Sequence, residues 1–169
     1  MRWDDLNSII IEYKPSKIFE GSIIWTIPSS AREKGTAGQL KLPALAVDII
    51  NSLPRILGNP YVFAGRGGFF WGFSKSKRRL DELSGVSDWV LHDCRRTARS
   101  LMARAGVMPH VAERVLGHAI PGVEGVYDRH SYDVEKADAL NRLAALITRA
   151  LHPVEAERRG HHRRSRLDL

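Results

Sequence analysis

A single cysteine, Cys94, in 169 residues rules out an intramolecular disulfide framework and suits a reducing cytoplasm. No apolar run approaches the length of a membrane span. The first residues, Met1, Arg2, Trp3, Asp4 and Asp5, lack the apolar stretch of a secretory signal. There is no internal repeat. His92, Asp93, His118 and His130 fall at no standard metal-ligand spacing, and no second carboxylate joins them, so metal-dependent hydrolysis fits poorly. Acidic residues are in deficit: 19 Asp and Glu against 26 Lys and Arg leave a net charge of +7 and a pI near 9.9. That balance favours a polyanionic partner, DNA or RNA before an acidic membrane surface. A merely solubilising basic surface would give the same count.

What is present suits one domain with a core of its own, since 43% of the residues are hydrophobic and 27% charged. The first forty residues carry β-branched and aromatic runs, at 9–11 and 23–27, with a third short strand at 39–42 after a polar turn. Three strands of this kind predict a small antiparallel sheet. Helical spacing takes over at Leu45, Ile49 and Leu53, with Pro54 where the helix would end, and again at Phe73, Lys77, Leu80 and Leu83. Asp93 is the expected N-cap of the next helix, whose apolar face is Cys94, Thr97, Ala98, Leu101, Met102 and Ala105. Gly106 is placed to stop it. Pro109 suits the first turn of a short helix carrying Val111, Val115 and Leu116 and ending at Gly117. A long amphipathic helix follows, with its stripe running from Val134 to Leu151. The fold class expected is α+β, a three-stranded antiparallel sheet followed by a helical bundle that buries Leu101, Val115 and Leu116. Residues 153–169, polar and arginine-rich, read as a disordered basic tail.

Four residues in a fixed order carry chemistry. His92 and Arg95 are three apart, so one helical face presents both. His118 follows Leu116 and Gly117, and Tyr127 stands nine residues later. An arginine fork that grips phosphate, two histidines and a tyrosine hydroxyl are the groups that DNA strand transfer needs. Tyrosine titrates near 10, so forming its phenolate at neutral pH costs about 4 kcal/mol, and a basic neighbour must take the proton as the oxygen attacks phosphorus.

The run Trp89-Val-Leu-His-Asp-Cys-Arg-Arg-Thr97 and the run Gly125-Val-Tyr-Asp-Arg-His-Ser-Tyr132 resemble the catalytic domain of tyrosine recombinases, the phage-integrase family, and prophage integrases in particular. The resemblance covers residues 1–152 and implies a DNA breaking-rejoining catalytic core that acts on double-stranded DNA. It further implies a covalent 3′-phosphotyrosyl intermediate, no metal or other cofactor, a cytoplasmic, nucleoid-associated location, and other recombinase protomers as partners. By resemblance Tyr127 is the nucleophile and His92 the acid/base group. Arg95 and His118 would hold non-bridging phosphate oxygens. Lys34, in the turn between the second and third strands, would be the general acid for the leaving 5′-oxygen, with Arg32 and Lys41 close enough to compete. Cys94 stands where the family has an apolar leucine and is read as a small buried hydrophobe. Tyr132 rivals Tyr127, but the spacing from His118 favours Tyr127.

The departure from the family is at the front. Its first catalytic arginine lies in a helix upstream of the segment matching Arg2-Trp-Asp-Asp-Leu6, and Arg2 occupies a variable position there. An arginine in that role contributes about 10³–10⁵ in rate. The resemblance therefore implies an N-terminally truncated chain, weak or inactive alone, that still binds DNA in a salt-sensitive way. Two other readings compete. Topoisomerases that nick through tyrosine share the chemistry. A non-catalytic helix-turn-helix DNA-binding protein would explain the two helices around Gly106 and the charge, but its second helix offers only His110, Glu113 and Arg114 as readers.

Overall fold

The structure is a computed structural model that describes residues 1–8, 23–27, 38–118 and 130–153. Within them the chain mixes helices with small antiparallel sheets, an α+β architecture. A 3-10 turn at Trp3–Asp5 is closed by the Arg2 amide donating to Asp5 Oδ2 at 2.7 Å. It leads into β1 (Leu6–Ser8), ahead of the expected run at 9–11, which lies outside the described residues. β2 (Ile23–Ile27) pairs antiparallel with β1, Leu6 opposite Trp25, and with β3 (Gly38–Lys41), Trp25 opposite Leu40. β-branched Ile and Thr with a central Trp suit that middle position.

Helix α1 (Ala44–Asn51) buries Val47 and Ile50, three apart on one face. A two-residue hairpin, β4 (Ala64–Gly65) and β5 (Gly68–Phe69), is braced by Asn59, whose side-chain amide donates to Gly68 O at 2.8 Å. Helix α2 (Phe73–Ser84) forms where the sequence predicts it, yet Phe73, Leu80 and Leu83 are exposed. Lys77, paired with Asp81 of the same helix at 2.7 Å, ties α2 to the following segment through Ser87 O at 3.1 Å and lies 4.7 Å from the Trp89 ring centroid. That contact sets the entry to the next helix.

The core sits where α3 (Leu91–Arg104), α4 (Pro109–Val115) and α5 (Asp133–Leu151) meet. Met102, Val111, Ala112 and Ala139 are its buried members, and Val107, Val115, Leu116, Tyr132 and Leu143 pack around them. The expected bundle core is thus shifted: Met102 is sealed, while Leu101, Val115 and Leu116 are half-buried. Cys94 is exposed, not buried. The fully buried residue of α3, Met102, lies in its last turn, and Leu91 and Cys94 on its first turn are exposed. Helix α5 packs on α3 and α4 and reaches the sheet, where buried Lys136 donates to Gln39 O at 3.0 Å and pairs with Asp133 at 2.9 Å. The ends of its stripe stay open, with Val134 80% and Leu151 65% exposed. Of the expected tail only residue 153 is described. Among the described residues no helix is long and apolar enough to cross a membrane.

Candidate functional site

Two helix ends build the site. Helix α3 begins at Leu91, with Val90 as its extended N-cap. Asp93 is not the cap the sequence suggests. It sits three residues inside, and its carboxylate accepts the Val90 amide at 2.9 Å, the inward half of a capping pair. That bond, then the Arg96 side chain at 3.0 Å and the charge of His92, holds the Asp93 carboxyl below its ordinary range. The first turn is thereby pinned, and it carries His92 on the exposed surface with Arg95 one turn further on.

Helix α4 ends in a turn with two diagnostic bonds. The Gly117 amide donates to Arg114 O at 3.1 Å, and the His118 amide donates to Glu113 O at 2.9 Å. Gly117 has φ +69°, the left-handed conformation that closes such a Schellman turn and that a β-carbon disfavours. In this motif the residue after the glycine lies back over the third residue from the helix end. Here those are His118 and Glu113, and their side chains meet: His118 Nδ1 contacts Glu113 Oε2.

Arg95 closes the arrangement from α3. Its Nε donates to His118 Nε2 at 3.3 Å, and its Nη2 donates to Leu116 O, one of the carbonyls that the end of α4 leaves without a helical partner. Arg99, one turn along α3, donates to the other Glu113 oxygen at 2.7 Å. The Glu113 carboxyl is held below its ordinary range, first by the His118 bond and then by Arg99. With His118 neutral, two guanidinium groups face one carboxylate, so the cluster is net positive. His118 is about half exposed and Glu113 about a third, so a ligand can reach them.

The structure thus joins Arg95 and His118, which the sequence separates by 23 residues. His92 stands on the same helix one turn before Arg95, and among the described residues no hydrogen bond links it to them. Tyr127, Lys34 and Arg32 lie outside the described residues. Lys41 lines a cleft of about 740 Å³ between the sheet and α5, together with Ile24, Gln39 and Asp138. Tyr132 is packed at the start of α5 with φ +53°. Its ring lies 4.2 Å from the Arg114 guanidinium, 4.6 Å from His130 and 5.5 Å from His110. Arg2 lies over the Tyr61 ring at 5.8 Å. Among the described residues no three His, Cys, Asp or Glu side chains gather as metal ligands.

Sequence reasoning missed Glu113 as part of the site. The signal was the Leu116, Gly117, His118 turn itself: a glycine closing a helix pairs the next residue with the one five positions before it. No family model, curated protein or solved structure matches the chain.

Proposed function

We propose that this chain is the catalytic domain of a tyrosine recombinase that breaks and rejoins double-stranded DNA in site-specific recombination or integration. The single observation that carries the reading is the pairing of Arg95 with His118 across two helix ends, because the resemblance assigns those two residues to one phosphate. In the proposed step the Tyr127 oxygen attacks phosphorus and its proton passes to His92. The phosphorus–O5′ bond breaks, and Lys34 supplies the proton to the leaving 5′-oxygen. Arg95 and His118 hold the non-bridging oxygens as charge builds on them. The products are a 3′-phosphotyrosine and a free 5′-hydroxyl, which conserves the bond energy for rejoining. The packing of Tyr132 against Arg114 and the core supports Tyr127 as the attacking group.

A helix-turn-helix regulator fits less well. A reading helix needs polar side chains free for base edges. On α4, His110 and Arg114 are stacked with Tyr132, and Glu113 is held by Arg99 and His118.

The test is covalent trapping. In a polypeptide that also carries the helix and clamp domain that the resemblance calls for, a nicked suicide duplex is expected to form a protein–DNA adduct. Tyr127→Phe abolishes the adduct and Tyr132→Phe keeps it. An adduct that persists in Tyr127→Phe and vanishes in Tyr132→Phe reassigns the nucleophile. No adduct under any condition removes the strand-transfer reading.

A further inference from the structure

We infer that Glu113 is a positioning residue: it holds the His118 imidazole with its proton on Nδ1, so that Nε2 is the atom turned toward Arg95 and the phosphate placed there. This rests on the strand-transfer reading for the phosphate, but the tautomer follows from the contacts alone.

Arginine has donors and no acceptor. The Arg95 Nε–H at 3.3 Å from His118 Nε2 therefore needs a bare lone pair on Nε2. A neutral imidazole then carries its proton on Nδ1, and Nδ1 faces Glu113 Oε2. Neither partner is free to swing away. The His118 amide is bonded to the Glu113 carbonyl at 2.9 Å, which locks the two residues face to face through the backbone. Arg99 Nε holds the second Glu113 oxygen at 2.7 Å, which fixes the carboxylate plane.

Two consequences follow for Arg95. Its Nε and Nη2 are taken up by His118 and Leu116, so the guanidinium is oriented and its remaining N–H groups are the ones offered to an incoming anion. If the phosphate displaces Arg95 from His118, Nε2 takes a proton from solvent and becomes a donor to the phosphate, while Nδ1–H stays on Glu113. The same Glu113 bond serves both states, as a carboxylate behind a catalytic histidine does when it fixes tautomer and steadies the imidazolium. Arg95, Arg99 and Glu113 are the charged side chains that bond within this cluster.

The deciding experiment is a long-range ¹H–¹⁵N correlation spectrum of the His118 imidazole in the full chain at neutral pH. The wild type is expected to show the Nδ1–H pattern. Glu113→Ala is expected to shift the population toward the Nε2–H form that a free imidazole side chain favours, because the long, exposed 3.3 Å contact from Arg95 does not hold the tautomer without the carboxylate, with helical circular dichroism retained. Glu113→Gln, whose amide oxygen still accepts, keeps Nδ1–H, and so does Arg99→Ala. An Nε2–H pattern in the wild type overturns the inference even if every variant misfolds, and so does an Nδ1–H pattern that survives in Glu113→Ala. Inorganic phosphate then separates the two readings. It should move the Nε2 resonance and leave Nδ1 in place. If it moves neither His118 nor Arg95, the strand-transfer reading loses its phosphate site, whereas the tautomer result is decided by the variants.

Discussion

Helices α3 and α4 end in the same backbone turn and use it for opposite purposes. At the end of α3, the Gly106 amide donates to Ala103 O at 3.0 Å and the Val107 amide donates to Met102 O at 3.0 Å, with Gly106 at φ +75°. At the end of α4, Gly117 and His118 repeat the pattern on Arg114 and Glu113. Each end also receives an arginine from another helix: Arg142 of α5 donates to Ala105 O at 3.3 Å, and Arg95 of α3 donates to Leu116 O. The difference lies in the side chains that the turn brings together. The first turn joins Met102 to Val107, and both belong to the core. The second joins Glu113 to His118, near the surface, and Arg95 donates to the histidine as well. One turn is an apolar fastening and the other an ionic cluster within reach of solvent, the candidate site. Position within the bundle decides which, because an apolar pair gains from exclusion of water and a charged pair has to stay in reach of it.

The largest effect expected from breaking this comparison is in the core. Met102→Ala should cost about 2–5 kcal/mol, as a fully buried side chain leaves a cavity. Glu113→Ala, at the equivalent place in the other turn, should cost about 1 kcal/mol or less, because a partly exposed ion pair is screened by water. Urea unfolding of the two variants measures both. Equal losses would show that the α4 end is structural as well.

The two glycines come next. A β-carbon in the left-handed region costs about 1–2 kcal/mol, so Gly106→Ala and Gly117→Ala should lower the melting temperature by similar amounts. Only Gly117→Ala should also disturb the His118 imidazole resonances. A matching disturbance in Gly106→Ala would remove the distinction between the ends.

The smallest effect is in pH dependence. The folded Glu113 carboxyl lies below its ordinary range, so it contributes stability above the unfolded glutamate value, and that contribution is lost as pH falls through the folded one. The wild type should therefore exceed Glu113→Gln in stability near neutrality, with the gap closing below about pH 4. Asp93 and Asp133, also held low, act equally in both proteins and cancel in the difference. A gap that widens in acid would reverse the assigned sign.

How much of this was legible in the sequence depended on how local the determinant was. Periodic apolar residues and the glycines at 106 and 117 marked the ends of α3 and α4 and both ends of α5 within a residue or two, since caps and periodicity are written in neighbouring positions, but the start of α3 lies three residues ahead of the expected one. Asp93 misled because aspartate serves both at the cap and three residues inside, and only the Val90 bond tells them apart. The exposure of Cys94 and Val134 could not be read, because amphipathic spacing says which face is apolar and not how far along the helix the partner extends. At the site, Arg95 and His118 were legible as types in order. Their contact, and the place of Glu113 between His118 and Arg99, depends on how α3 crosses α4, which is a tertiary fact.

The comparison is tested most directly by titrating duplex DNA at stepped salt against the two arginines that cap the two turns. Arg95→Ala is predicted to weaken binding about three- to tenfold, the net worth of one ordinary solvent-exposed hydrogen bond, and to reduce the salt slope by about 1. Arg142→Ala, at the core-facing turn, is predicted to leave both unchanged. Equal losses for the two variants, or none for Arg95→Ala, would contradict the assignment of the α4 end as the place where DNA phosphate is held.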